Sequence, residues 1–128
     1  MKSRKVISTV NAPAAIGPYS QAIVATGTAV FVSGQVSVDP ATGSVVGSDV
    51  KTQTLQVLKN LSAVLSASGA ALSDVVKTTV FLTNMDDFAQ MNAVYAEFFP
   101  ENPPARPTIE VCRLPLDVKV EIEAIAFI

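Results

Sequence analysis

Four prolines fall within eight residues, Pro100, Pro103, Pro104 and Pro107 of the run PENPPARP, and they set the limits within which this chain can fold. A proline ring fixes φ, removes an N–H and drives the preceding residue out of the helical region. Neither a helix nor an interior strand can continue through residues 100–107. The chain is therefore read as two blocks joined by a stiff connector, with Arg106 held between Ala105 and Pro107.

Before the connector, residues 5–10, 20–25 and 28–36 read as strands, with Thr26-Gly27 as a turn and a turn-rich excursion at Asp39 to Gly47. Ser48 or Asp49 is placed to cap a helix whose apolar positions are Val50, Leu55, Leu58, Leu61, Val64 and Leu65, stopped by Gly69. The β-branched run VVKTTVFL at 75–82 is a central strand, and Asn84 caps a second helix with Phe88, Met91, Tyr95 and Phe98 on one face. After the connector, residues 108–113 and 118–127 read as strands joined by a tight turn at Pro115-Leu116. The order β-β-β-α-β-α-β-β predicts a single α+β domain over residues 1–128, with two helices on one face of a mixed sheet. The other face then has no cover within the chain.

Composition narrows the function classes. Of 128 residues 49% are apolar and only 16% charged, against roughly 25% charged in an ordinary soluble domain. Disorder is excluded, and no apolar stretch approaches the roughly 20 residues of a membrane span. Sparse charge on an uncovered sheet points to a homo-oligomer. Nine basic and eleven acidic residues leave a net charge of −2, which disfavours nucleic acid as a partner. With no histidine and one cysteine, Cys112, the chain has no His-based triad, no His/Cys zinc site and no internal disulfide. No apolar leader follows the basic residues near the N-terminus, so the expected location is cytoplasmic.

Alternation along the last two strands puts Thr108, Glu110 and Cys112 on one face, with Arg106 if the strand begins that early. Lys119, Glu121 and Glu123 share a face of the final strand, and a hairpin would set Glu110 opposite Glu121. Arg106 then sits well away from Glu121, and the two can line one cavity only if a second subunit closes it. Arg106 reads as a ligand clamp or a surface ion-pair partner, and Glu121 as a functional carboxylate or an ordinary surface one. Tyr19 of GPYSQA reads as a packing tyrosine or a pocket wall. Gly34 of VSGQ reads as a plain strand end or as backbone approached closely by a ligand. Cys112 reads as a small buried apolar residue.

GPYSQA at 17–22, VSGQ at 32–35, NPPARPTIEVCRLP at 102–115 and VEIEAIA at 120–126, in this order and spacing, resemble the reactive-intermediate deaminase family (RidA/YjgF, also described as L-PSP endoribonucleases). The resemblance implies a chorismate-mutase-like fold assembled as a homotrimer around a central barrel, with pockets between subunits. It implies hydrolysis of enamine/imine intermediates of the 2-iminobutanoate/2-iminopropanoate type to 2-oxo acids and ammonia, with no cofactor and no metal. Arg106 then takes the carboxylate-binding role, Glu121 the water-orienting role and Tyr19 the pocket wall, with Ser33, Gly34 and Thr108 in contact with substrate. Many bacterial members carry cysteine where this chain has Thr108, so Cys112 does not inherit that place. A non-catalytic metabolite-binding or chaperone-like trimer, and less so an endoribonuclease, are the competing readings.

Overall fold

The computed structural model describes residues 2–128. The elements are β1 (Ser3–Ile7), β2 (Ala22–Thr26), β3 (Ala29–Gln35), α1 (Val50–Ala67), β4 (Val75–Leu82), α2 (Phe88–Phe98), β5 (Thr108–Glu110) and β6 (Val120–Phe127). Short 3-10 turns precede β4, α2 and β6. The main sheet has the order β3-β6-β4-β5, with β6 antiparallel to both of its neighbours and β5 parallel to β4. The α+β class with two helices on one sheet face is as expected.

Central β6 alternates strictly. Val120, Ile122, Ala124 and Ala126 are buried beneath the helices, while Glu121, Glu123, Ile125 and Phe127 take the open face. Helix α1 starts where Asp49 accepts from Thr52 N at 3.1 Å and stops before Gly69, whose φ of 81° suits a residue without Cβ. Its buried stripe is Val50, Val57, Leu58, Leu61 and Leu65. Leu55 and Val64, expected in that stripe, are more than a third exposed. Gln53 and Thr54 are buried instead, and each is satisfied. Gln53 donates to Gly47 O at 3.0 Å and accepts from Lys119 N at 2.8 Å; Thr54 donates to Val50 O at 2.7 Å. Met91 and Tyr95 are the fully buried residues of α2, with Phe99 packed on Tyr95 at a centroid distance of 4.7 Å.

Three expectations give way. The first strand lies at Ser3–Ile7 rather than 5–10, because Gln21 draws Thr9 to Pro13 into a loop. Its side chain accepts from Thr9 N at 2.6 Å and donates to Thr9 O at 3.1 Å and Pro13 O at 2.6 Å. The second strand begins at Ala22 rather than 20 and pairs with β1, not with β3, across a separate two-stranded sheet.

The third correction concerns the end of the chain. β5 ends at Glu110 and forms no hairpin with β6, because the proline connector has already put this segment in register with the edge of β4. Thr78 N donates to Ala105 O at 3.0 Å, Val80 N to Pro107 O at 3.2 Å and Val111 N to Leu82 O at 2.8 Å. An edge strand tolerates the prolines there, since their missing N–H groups lie outside the ladder. Glu110 therefore pairs with Leu82 rather than facing Glu121, and Cys112, past the end of the strand, is exposed rather than buried.

Candidate active site

The connector that ends α2 also delivers Arg106 to the helix side of the sheet. In register with Thr78 of β4, its side chain turns under α2 and is only 8% exposed. The guanidinium carbon lies 4.7 Å from the Tyr95 ring centroid, 5.7 Å from that of Phe88 and 5.8 Å from that of Tyr19. These faces are favourable for a cation. They offer no hydrogen bond, however, and Nε and Nη1 are buried with no partner among the described residues. Burial lowers the Arg106 pKa, offset in part by Tyr95 and Tyr19. Arginine nonetheless stays protonated at neutral pH.

The floor of this recess is fixed. The Tyr95 hydroxyl and Thr78 Oγ1 share a hydrogen bond of 2.6 Å, and desolvation pushes the Tyr95 phenol up to about 12. The wall is Tyr19. Ser20 donates from its hydroxyl to Pro103 O and from its backbone N–H to Pro104 O at 3.1 Å, which clips the GPYSQA loop onto the connector. Thr108 lies in register with Val80 on the same side, and its Oγ1 is likewise buried without a partner.

Four residues of this recess, Asn92, Phe88, Tyr95 and Thr78, were not named as site residues in the sequence. Asn92 presents a buried Oδ1 with no partner, and its Nδ2 stands beside Gly17 of the loop. Phe88 and Tyr95 carry only core positions in the sequence, and Thr78 only a place in the central strand. Asn92 stands one residue after Met91, at the margin of the apolar stripe of α2, a place that carries no signal of burial by itself.

Glu121 lies elsewhere. It pairs with Phe81 on β4, between the inward residues Val120 and Ile122, so its carboxylate is on the open face. Desolvation, reinforced by Glu123, raises its pKa. Gly34 on β3 makes room for it: a Cβ built there would stand 2.8 Å from Glu121 Cδ and closer still to Oε2. The group that comes close to Gly34 is thus a side chain of the same chain, where the sequence suggested a ligand. Ser33 is the exposed neighbour, and a cavity of about 340 Å3 beside Gly34 is lined by Val36, Val38 and Asn60 among others. A cavity of about 270 Å3 by Arg4, Leu72, Phe98 and Phe99 holds none of the candidate site residues. One chain thus carries two separate groupings. Arg106, Tyr19 and Thr108 lie beside Asn92 of α2, on the helix side, whereas Glu121, Gly34 and Ser33 lie on the open face.

Fold and groupings together define an α+β protein, two helices on one face of a mixed sheet, that keeps an unpaired guanidinium at one sheet edge and a desolvated carboxylate on the open face. The model of the family described as Endoribonuclease L-PSP matches residues 9–128. A RutC family protein of Pyrococcus horikoshii is 57% identical over 97% of this chain and 98% of its own. The 2-iminobutanoate/2-iminopropanoate deaminase of Salmonella typhimurium is 54% identical over 95% and 96%. Among solved structures, Escherichia coli TdcF with bound serine is 47% identical and overlays with a TM-score of 0.76 over 97% of this chain and 98% of that one. The chain belongs to the L-PSP family, which includes the Rid and RutC proteins. No helix among the described residues is long and apolar enough to cross a membrane.

Proposed function

We propose that the protein hydrolyses small 2-imino acids and their enamine tautomers to 2-oxo acids and ammonia, in clefts between the copies of a homotrimer. The observation that carries this reading is the Arg106 guanidinium, buried among three rings with Nε and Nη1 unpaired. A buried arginine with free donors is a receptor for a planar anion, and a carboxylate takes two parallel N–H groups. The relatives agree in chemistry: one carries the deaminase name, and another binds serine, a small amino acid with that same carboxylate.

The remaining groups divide the work. Tyr19 and Thr108 border the recess that holds the substrate's carboxylate end, and Glu121, with Ser33 and Gly34 around it, comes from a neighbouring copy. The 2-imino carbon is already electrophilic. Glu121 orients a water and accepts one of its protons as oxygen bonds to that carbon, giving a carbinolamine. In the carbinolamine formed from the protonated imine, Glu121 returns its proton to the nitrogen. The C–N bond then breaks with its electrons leaving on ammonia as the C=O bond forms, and the hydroxyl proton passes back to the Glu121 carboxylate, leaving the 2-oxo acid. Orientation supplies most of the rate, since free imines also hydrolyse in water. No cofactor enters these steps. The exposed free thiol of Cys112 suits the reducing cytoplasm, where we place the reaction.

A coupled assay tests this reading. An amino-acid oxidase generates the 2-imino acid, semicarbazide traps what persists, and the protein competes for it. The expected result is less semicarbazone and faster ammonia release with wild type, and neither with Arg106→Ala. Equal semicarbazone with and without folded wild-type protein overturns it.

A further inference from the structure

We infer that Thr78 and Tyr95 are positioning residues for Arg106: the hydrogen bond between their hydroxyls pins the ring on which the guanidinium lies, and so presents its free N–H groups in the plane a carboxylate needs. This role rests on Arg106 being the carboxylate receptor proposed above, and adds what orients it.

The core does not need a hydroxyl at Thr78. Along β4 the residues buried on the helix side are Val76, Thr78, Val80 and Leu82, so one oxygen interrupts an apolar row. Met91 and Tyr95 are the buried residues of α2, and only Tyr95 carries an oxygen. Both oxygens are inside the protein, Thr78 being 1% exposed and Tyr95 wholly buried, and they meet at 2.6 Å. A buried hydroxyl pair adds little net stability over valine and phenylalanine of the same shapes, since each oxygen gives up water to gain the other. What the pair supplies is direction. A hydrogen bond fixes where the para end of the Tyr95 ring stands, which apolar contact alone does not.

Arg106 depends on that ring. No hydrogen bond holds its Nε or Nη1. Of the three rings around the guanidinium carbon, Tyr95 is nearest, at 4.7 Å against 5.7 Å for Phe88 and 5.8 Å for Tyr19. A guanidinium held only by aromatic faces takes its tilt chiefly from the closest of them.

Thr78 also fixes the other end of the same side chain. Its backbone N–H donates to Ala105 O at 3.0 Å, and Ala105 N donates to Val76 O at 3.1 Å, so the residue before Arg106 is fastened to β4. One residue of β4 thus sets the backbone from which Arg106 starts and, through Tyr95, the surface on which it ends. Two parallel N–H bonds to a carboxylate require the fork in one orientation, so a ring free to tilt weakens the binding of substrate and product alike.

The double variant Thr78→Val with Tyr95→Phe removes both oxygens and keeps both shapes. It is compared with Thr78→Ser, which keeps the hydroxyl and loses a buried methyl group. Thermal unfolding, KM and kcat for the imine, and calorimetric binding of the product 2-oxobutanoate are read on each. The double variant should unfold close to the wild-type temperature, yet KM and the Kd of the oxo acid should both rise about five- to tenfold, with kcat changed less than about twofold. Thr78→Ser should unfold at a lower temperature and keep KM and Kd near wild type. Affinity then follows the hydroxyl while stability follows the methyl group, a split that a merely structural role does not produce. Wild-type KM and Kd in the double variant, or an equal loss of affinity in Thr78→Ser, overturn the inference. Wild-type protein that binds the oxo acid without hydrolysing the imine overturns the catalytic reading instead, and Kd across the same variants then decides the role of Thr78.

Discussion

Arg106 and Glu121 face away from each other across one sheet. Arg106 lies under α2 against Tyr95, while Glu121 emerges between two residues buried on the helix side and takes the open face. No rotamer change brings both to a small substrate within one chain. An active site using both needs two copies, each giving one grouping to each of its neighbours.

The state of Arg106 makes a prediction about stability as well as rate. A buried charge without a partner costs folding free energy, so an apolar replacement of similar length relieves it. Arg106→Met should fold at least as stably as wild type, gaining about 1 kcal/mol. It should also lose imine hydrolysis by at least about 100-fold, since a carboxylate held by two N–H groups has no substitute there. Thermal unfolding and the semicarbazide assay on one preparation measure both. A large fall in unfolding temperature would mean that the guanidinium is structural.

Tyr95 and Thr78 should act as a unit. Removing either hydroxyl from the buried 2.6 Å pair leaves the other unsatisfied, at about 1–2 kcal/mol. Tyr95→Phe and Thr78→Val together should cost less than the sum of the singles, with a coupling of about 1 kcal/mol in urea unfolding. Additive effects would place the hydroxyls in separate interactions.

Gly34 is predicted to set the place of the Glu121 carboxylate. Its φ lies outside the left-handed region, so Gly34→Ala strains no backbone; the new methyl displaces the carboxylate instead. Stability should change by less than about 1 kcal/mol while kcat falls about tenfold or more, and KM, set largely at Arg106, should move little. A fall confined to KM would separate Gly34 from the chemistry.

The pH dependence has a defined sign. Desolvation and then Glu123 raise the Glu121 pKa, so the rate should rise through an inflection above the ordinary glutamate value as Glu121 ionises. Glu123→Gln removes the like charge and should move that inflection down. For stability, native Glu121 keeps its proton to higher pH than the unfolded chain does. Ionising it therefore opposes folding above both pKa values, and that cost disappears as pH falls through the raised native value. Glu121→Gln should stabilise the protein at neutral pH and not at low pH, as unfolding at the two pH values will show.

Much of this was legible in the sequence. Period and caps gave both helices, the β-branched run gave β4, and alternation in VEIEAIAF gave the two faces of β6 with Glu121 on the open one. What failed was pairing, because it depends on competition between distant segments. The tight turn at Pro115-Leu116 looked like a hairpin. The proline connector had already bound its carbonyls to β4, and a parallel edge strand leaves no signature in its own residues. The same holds for β2, whose partner is β1. Arg106 was equally open to a surface reading, because its burial is set by Tyr95, Phe88 and Tyr19, which come from elsewhere in the chain. Asn92 was missed because nothing in its own surroundings distinguishes a polar residue at the margin of a helix stripe from a solvated one.

The claim that one site is built from two copies is tested most directly by complementation. Arg106→Ala and Glu121→Gln variants, each inactive alone, are co-expressed with different tags, and assemblies carrying both tags are purified. In mixed trimers some clefts join an intact Arg106 from one copy to an intact Glu121 from another. Every mixed trimer has one such cleft of three, so imine hydrolysis should return to about a third of the wild-type rate. Mixed assemblies as inactive as the parents would contradict the account and place both residues' roles within a single chain.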